Sequence, residues 1–259
     1  MKGGEGKMLF YFTATGNCLY VAREIEKNIF SIPQELKKKE SKYKDSAIGI
    51  VAPIYAGELP LIVRKFIEKA HFETDYFYLV LTYGANDSVA STWSASFCEE
   101  HHIHVDYIHT IKMVDNYVPS FDMNEEKSID KHIDEQLKQV KEDLQNRVHD
   151  IPQPTETGIK LHETVKKRFN EHPELNDGEL IKMTNKCEEC RMCAKVCPRG
   201  NIAFKDNKAY RIHNKCDFCL ACVHNCPFNA IIVENEKNSQ ARYRHPCISL
   251  KDIVLSNQQ

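Results

Sequence analysis

The sequence predicts an α/β protein in which a doubly wound parallel sheet is followed by a small cysteine-rich α+β domain. Two observations predict this fold class. Strand-like apolar runs alternate with amphipathic helices through the first half of the chain, a pattern typical of a parallel sheet covered by helices. Eight of the eleven cysteines then fall between residues 187 and 226. At 259 residues, the chain has room for one large domain or two smaller ones.

The predicted strands end in polar loops. Strands are predicted at residues 8–12, 47–52 and 77–82, with a less regular strand within 103–114 and a weak one near 30–32. The first three strands lead into loops at residues 13–18, 53–58 and 82–86. Ligands of open parallel sheets bind beyond the carboxyl ends of the strands. We therefore predict that these three loops share a binding edge.

The first loop, Thr-Ala-Thr-Gly-Asn-Cys at residues 13–18, stands between a strand and a helix. Backbone amides and the positive end of the helix dipole favour an anion at such a position, and this indicates a phosphate site. Simple helix capping is the alternative, because Thr and Asn are common capping residues. No G-x-G-x-x-G follows a strand, so the usual nicotinamide-binding fingerprint is missing.

The cysteines form two runs of the pattern C-x₂-C-x₂-C-x₃-C-P, repeated after 29 residues. This spacing is that of bacterial two-cluster ferredoxins, in which the fourth cysteine of each run binds the other cluster. We therefore assign one [4Fe–4S] cluster to Cys187, Cys190, Cys193 and Cys226 and the second to Cys216, Cys219, Cys222 and Cys197. Two structural zinc sites are the alternative, because Cys₄ sets also bind zinc. A disulfide framework is less favoured in a long chain with no need of cross-links.

The remaining segments complete the predicted organisation. Residues 1–155 form the α/β domain, 156–180 a helical connector, 181–235 the cluster domain and 236–259 a C-terminal tail. Because Ile248, Leu250 and Ile253 make the tail apolar, we expect it to pack back on both domains. Residues 125–150 carry apolar residues at helical spacing and predict one long surface helix.

Composition narrows the class of protein. The formal net charge of −2 gives no electrostatic reason to expect binding to nucleic acid or to an anionic membrane. The N-terminus, Met1–Lys7, is polar, and no apolar run has the length of a signal peptide or a membrane span. Cysteines that bind clusters must stay reduced, so a cytoplasmic, low-oxygen setting is expected.

The loop at residues 13–18 resembles the phosphate loop of flavodoxin-type FMN proteins. The resemblance implies that Thr13, Ala14, Thr15, Gly16, Asn17 and Cys18 hold the phosphate of FMN. It also implies that the isoalloxazine ring lies between two further segments, Pro53, Ile54, Tyr55, Ala56 and Gly57 on one side and Thr82, Tyr83, Gly84, Ala85 and Asn86 on the other. Flavodoxins usually have Thr or Ser where this chain has Cys18. A thiol is a weaker hydrogen-bond donor, so looser binding is expected.

The order of the two modules resembles the fused flavodoxin–ferredoxin family of anaerobic bacteria and archaea. The resemblance implies electron transfer between two [4Fe–4S] clusters and FMN, which would link one-electron carriers to a two-electron partner. The expected partners are redox proteins, either ferredoxin-type donors or a reductase. An FMN-dependent reductase of a small organic substrate is the alternative, with Tyr55, Tyr83 or Tyr117 as the proton donor.

Overall fold

The structure is a computed structural model that describes residues 7–175, 177–206, 208–212 and 216–259. Residues 1–6 of the polar N-terminus and Asn207 of the predicted hairpin turn lie outside this description. Among the described helices, none combines the length and the apolar character needed to cross a membrane.

The described elements alternate between strands and helices in the first half of the chain and become short in the second half. In chain order they are β1 Lys7–Tyr11, α1 Asn17–Ile25, β2 Ile29–Ser31, α2 Ile32–Glu35, β3 Lys42–Lys44, β4 Ala47–Pro53, α3 Leu61–Lys69, β5 His71–Glu73, β6 Phe77–Tyr83, α4 Ala90–Glu100, β7 Tyr107–Lys112, α5 Met123–Ser128, α6 Ile133–Gln145, α7 Glu156–Glu171, a 3₁₀ turn Pro173–Leu175, β8 Ile181–Met183, α8 Met192–Lys195, β9 Ile202–Lys205, β10 Lys208–Arg211, α9 Ala221–His224, β11 Ile231–Val233 and α10 Leu250–Asn257.

The main sheet has five parallel strands in the order β2-β1-β4-β6-β7. The strands β3 and β5 pair only with each other. When β3 and β5 are left out and the five remaining strands are renumbered in chain order, their order across the sheet is 2-1-3-4-5. This is the flavodoxin-like order. The predicted fold class is therefore confirmed for the first half of the chain.

Apolar stripes attach the helices to this sheet. Helix α1 buries Cys18, Leu19, Val21 and Ala22, and α3 buries Ile62, Val63, Phe66 and Ile67. The ring of Phe66 packs on Phe10 of β1 with 5.0 Å between ring centroids. These stripes recur at the helical period of 3.6 residues, so one face of each helix reaches the sheet while the other faces water.

The single long helix predicted for residues 125–150 is wrong, because the structure has two helices there. Helix α5 ends at Ser128, and α6 begins after His132, whose φ of 50° is left-handed. The two helices serve different cores. Met123 of α5 packs in the core of the cysteine-rich domain, whereas Leu137 of α6 packs in the core of the main sheet. A straight helix could not reach both.

The described residues of the cysteine-rich domain form two small antiparallel sheets. Strands β9 and β10 form the predicted hairpin, and β11 pairs with β8. Sequence reasoning did not identify β8, because its three residues are too few to show a period. Its Ile181 joins Ile231 and Val233 in the domain core. The predicted α+β character of this domain is confirmed.

The C-terminal residues cross the molecule from the cysteine-rich domain to the main sheet. Helix α10 begins with a capping box formed by Ser249 and Asp252. Asp252 also pairs with Arg23 of α1 at 2.6 Å, and the Asn257 side chain donates to the backbone oxygen of Thr13 at 2.8 Å. The end of the chain therefore lies against the carboxyl edge of the main sheet.

Candidate metal centres and flavin loops

Cys187, Cys190, Cys193 and Cys226 line one cavity, which we call site I. The first three belong to the first cysteine run and the fourth belongs to the second run. The cavity encloses about 340 Å³, part of it open to solvent. Four thiols around a mostly apolar space form a donor set that fits an iron–sulfur cluster.

The remaining four cysteines of the two runs line a second cavity, which we call site II. Here Cys216, Cys219 and Cys222 come from the second run, while Cys197 comes from the first. The cavity encloses about 430 Å³, and Ile181, Ile202 and Leu220 are among its apolar walls. The structure thus brings together the two sets of four that the sequence assigned across the runs.

The same backbone geometry wraps each run around its site. Two residues have left-handed φ angles in each run, Glu189 (49°) and Arg191 (61°) in the first and Phe218 (47°) and Leu220 (59°) in the second. Left-handed backbone costs a residue other than glycine roughly 1–2 kcal/mol. Equivalent residues of both runs adopt this conformation despite its cost, because the resulting bends turn three closely spaced thiols toward one centre.

Backbone N–H groups contact the fourth cysteine of each run. The Asn201 N–H donates to Cys197 Sγ at 3.3 Å, and the Ala230 N–H donates to Cys226 Sγ at 3.3 Å. The two donors occupy equivalent positions of the 29-residue repeat. Hydrogen bonds to the sulfurs are among the features that set the reduction potential of a cluster.

Burial keeps several of these cysteines protonated in the absence of a cluster. It raises the pKa of Cys193 to about 12 and that of Cys216 to about 11. The same cause raises the pKa values of Cys197, Cys219 and Cys222. Because ligands bind metals as thiolates, cluster assembly has to release protons from both sites.

The two sites differ in their access to solvent. Cys190 of site I is exposed, whereas Cys219, at the equivalent position of site II, is 9% exposed. Phe228 lines site I and is 44% exposed. The equivalent residue at site II is Arg199, whose side chain is 13% exposed. Site I therefore opens outward, and site II faces the main-sheet domain.

Asp217 anchors site II to the main-sheet domain. Its Oδ2 accepts a hydrogen bond of 3.0 Å from the Ile62 N–H in the first turn of α3. Its Oδ1 lies 3.4 Å from Arg199 Nε. Burial raises the pKa of the carboxyl group. Sequence reasoning missed Asp217, since nothing in the cysteine run indicates that its carboxylate caps a helix of the other domain.

The structure brings the three predicted flavin loops together at the carboxyl edge of the sheet. Cys18 Sγ lies 3.2 Å from Thr82 Oγ1, and the Ile54 N–H donates to the Thr82 carbonyl at 2.8 Å. Burial raises the pKa of Cys18 to about 12. The Tyr55 hydroxyl is buried with no hydrogen-bond partner, and nearby thiols, Cys219 foremost, add to the effect of burial in raising its pKa.

The predicted phosphate loop lies beneath other parts of the chain. Thr13 and Thr15 are 1% and 2% exposed, respectively. The loop carbonyls accept hydrogen bonds from three groups: the Asn257 side chain to Thr13 at 2.8 Å, the Asn225 side chain to Ala14 at 3.4 Å, and the His245 N–H to Thr15 at 2.8 Å.

Protein groups also occupy the surroundings of the loop side chains. The Asn116 side chain donates to Thr15 Oγ1 at 2.9 Å, and the Tyr243 hydroxyl donates to Asn17 Oδ1 at 2.7 Å. A Cβ at Gly16 would stand 3.0 Å from the side chains of His245 and Ile248. Backbone and side chains of the same chain therefore pack closely against this loop.

The two predicted ring-flanking segments are also covered in part. A Cβ at Gly57 would lie 2.8 Å from His162 Nδ1 of α7, which contacts the Ala56 carbonyl at 3.1 Å. A Cβ at Gly84 would lie 2.2 Å from the Asp115 side chain, whose Oδ2 accepts from the Ala85 N–H at 3.0 Å.

The C-terminal residues thus pack over the phosphate loop, His162 of α7 packs over the second loop, and Asp115 packs over the third. FMN does not fit the phosphate loop in this arrangement, because Asn225, Tyr243, His245, Ile248 and Asn257 lie against it and leave it buried. Its binding stays a prediction from the sequence resemblance. The sequence did not identify Asn225, Tyr243 and His245 as residues that cover the loop. The apolar residues of the tail were the one available signal.

Residues 186–230 match the family of 4Fe-4S dicluster domains. No curated protein matches the sequence. Similar solved structures include a flavoprotein from Lactobacillus acidophilus NCFM in complex with FMN, at 9% identity over 41% of this chain and 93% of that chain, with a TM-score of 0.31. A flavodiiron core from Synechocystis sp. PCC6803 is 13% identical, and the match covers 62% of this chain and 36% of that chain with a TM-score of 0.33. Rubredoxin oxygen:oxidoreductase from the anaerobe Desulfovibrio gigas is 8% identical, and the match covers 56% of this chain and 37% of that chain with a TM-score of 0.34.

The fold and the family match together define the class of architecture. The strand order makes the first domain flavodoxin-like, and the match at residues 186–230 makes the second a 4Fe-4S ferredoxin-type domain. The chain is a fusion of these two modules. Its class of function is redox electron transfer, which is the chemistry that such clusters supply.

Proposed function

We propose that this chain is an electron-transfer protein that carries one [4Fe–4S] cluster at site I and another at site II. One observation carries the proposal. Each of two separate cavities is lined by three cysteines of one run and the fourth cysteine of the other. A pair of independent zinc knuckles would not need this exchange of ligands between runs.

The residues present fit such clusters. Eight thiols supply four ligands per site, and the Asn201 and Ala230 N–H groups donate to the crossing cysteines. Apolar side chains, Phe204 at site I and Leu220 at site II among them, restrict water near the thiols. When bound, each cluster supplies one-electron chemistry, and the chain sets its surroundings.

The different exposure of the two sites supports different roles for the two clusters. Site I opens to solvent beside Cys190 and Phe228, while Asp217 holds site II against α3 of the flavodoxin-like domain. We therefore assign exchange with redox protein partners, such as a ferredoxin-type donor or a reductase, to site I. Site II lies beside Tyr55, a residue of the second loop that the resemblance assigns to flavin. No electron step through FMN is part of this proposal, because the phosphate loop is covered.

Cofactor analysis after oxygen-free purification tests the proposal. About eight irons and matching sulfide per chain are expected for two [4Fe–4S] clusters, with electron paramagnetic resonance signals after reduction. Zinc in place of iron and sulfide would overturn the proposal. Flavin released by acid, measured in the same sample, reports separately on FMN.

Paired cysteine variants test which ligands belong together. Cys226→Ser should remove one cluster, or about four irons. Cys190→Ser combined with Cys226→Ser should remove no more, because both residues line site I. Cys219→Ser combined with Cys226→Ser should remove both clusters. If Cys226→Ser and Cys219→Ser behaved instead as one site, the assignment across the runs would be wrong.

A further inference from the structure

The outward face of site I carries an exposed redox ligand and an exposed aromatic ring. We call this surface the site I face and define it by Lys186, Cys190, Lys205, Lys208 and Phe228. Cys190 and Phe228 line the cavity itself, and Lys186 directly precedes the ligand Cys187. Lys205 and Lys208 are paired across the β9–β10 hairpin, next to the lining residues Phe204 and Ala209.

Positive charge is concentrated in this part of the chain. Residues 181–235 contain nine Lys and Arg against five Asp and Glu, although the whole chain has a formal net charge of −2. Lys186, Lys205 and Lys208 are exposed. Three acidic residues lie close by, one of which is Asp206, exposed directly after Lys205. Glu189 is paired with Arg191 at 3.0 Å, and Glu188 is exposed at the cavity. Because Arg191 neutralises Glu189, the three exposed lysines outnumber the exposed Glu188 and Asp206, and the face keeps a net positive charge around an apolar centre.

The equivalent surface of site II is already covered within the chain. Cys219 is 9% exposed, and Arg199, which replaces Phe228 in the repeat, lies against Asp217 at 3.4 Å. An external protein therefore reaches cluster ligands at site I rather than at site II. Electron-transfer encounters use small, transient interfaces, in which charge steers the approach and a small apolar contact is sufficient.

We propose that the site I face docks a small acidic protein that carries one electron, such as an acidic ferredoxin-type carrier. The inference rests on the proposed function, because it requires a cluster at site I. In the exchange, the reduced carrier loses one electron and the site I cluster gains it, with no bond made or broken and no proton transferred. Lysines at the rim attract the acidic partner, and Phe228 and Cys190 place the cluster at the contact.

Stopped-flow mixing with a chemically reduced, acidic plant-type [2Fe–2S] ferredoxin tests this inference on the full chain. Attraction between opposite charges predicts a second-order rate constant that falls steeply as salt increases. The triple variant Lys186→Glu, Lys205→Glu and Lys208→Glu should lower that constant at least tenfold at low salt and weaken its salt dependence.

A matched variant separates the site I face from total charge. Lys27→Glu, Lys39→Glu and Lys138→Glu change the same number of exposed lysines, all in the flavodoxin-like domain. This variant should change the rate constant less than twofold. Equal slowing by both triple variants would overturn the inference, as would a wild-type rate constant that rises with salt.

Two further measurements distinguish the possible failures. Iron and sulfide content must be the same in all variants, and reduction by methyl viologen reports on the clusters without a docking surface. Clusters that react with methyl viologen but not with the acidic carrier would overturn the docking inference and leave the proposed function intact. Missing clusters would overturn both. Sedimentation that showed a dimer lost in the Lys186, Lys205 and Lys208 variant would assign the face to a second copy of this chain and overturn the acidic-carrier proposal.

Discussion

At the scale of single residues, the environment of Tyr55 departs from ordinary packing. Its hydroxyl is buried without a hydrogen-bond partner, near Cys18 of the first loop and Cys219 of site II. A buried polar group without a partner costs about 1–3 kcal/mol. The residue therefore lowers stability at the point where the flavodoxin-like domain meets the cluster domain.

Replacing Tyr55 with Phe should raise the free energy of unfolding by about 1 kcal/mol, because it removes the unpartnered hydroxyl and keeps the ring. Tyr107→Phe is the matched control. The Tyr107 hydroxyl donates to Asp143 Oδ2 at 2.7 Å, so this variant should be less stable than the wild type. Denaturant unfolding under oxygen-free conditions measures both. A loss of stability in Tyr55→Phe would show that the hydroxyl has a partner.

The repeat is also visible at the residue scale. Left-handed residues, short helices and N–H···S hydrogen bonds recur at positions 29 residues apart. Different side chains at equivalent positions of the repeat make the two sites different. Phe228 and Arg199 occupy equivalent positions, yet one lies at the surface and the other pairs with Asp217.

At the scale of elements, the C-terminal segment covers the phosphate loop. The His245 N–H bonds to Thr15, the His245 ring stacks on Tyr20 with 4.1 Å between ring centroids, and α10 holds Asn257 against Thr13. Ile253 of α10 is fully buried in the core of the main sheet. These contacts make the segment part of the folded domain.

Because this segment covers the loop, FMN added to the intact chain should keep its free fluorescence. A chain that ends at Gln240 uncovers the loop and serves as the matched variant, with iron content and circular dichroism as checks that it is folded. Quenching of FMN by that variant alone would show that the loop can bind flavin when uncovered. Tight binding of one FMN by the intact chain would contradict the prediction.

At the scale of the whole molecule, site I has an exposed cysteine, whereas none of the four cysteines of site II is exposed. Cys190 of site I is exposed, whereas Cys219 of site II is 9% exposed and belongs to the core of the main sheet. Chelators and oxygen reach an exposed cluster more readily than a buried one. The two clusters should therefore differ in kinetic stability.

Release of iron to a chelator in air should follow two phases, with about half of the iron in each, because a two-cluster domain divides its iron equally. The fast phase belongs to site I. Cys226→Ser, which removes a ligand of site I, should lose the fast phase and keep the slow one. Release of all the iron in a single phase would show that the two sites are equally accessible.

Much of this organisation could be predicted from the sequence. The two cysteine runs, the hairpin between them and the strands at residues 47–52 and 77–82 depend on local spacing and hydrophobic periodicity. Such signals lie within a few residues of each other along the chain. The strand β8 and the break between α5 and α6 could not be predicted, because both depend on the core in which distant residues pack.

By itself, the sequence determined the class of fold, the loops at the edge of the sheet and the pairing of cysteines into two sets of four. Only the tertiary structure decided that residues 243–257 cover the phosphate loop, that Asp217 caps α3 and that site I rather than site II faces solvent. The physical reason is the separation along the chain over which each kind of signal acts. Ligand spacing and periodicity act between neighbours in the chain, whereas burial depends on contacts between residues such as Thr13 and Asn257 that lie 244 positions apart.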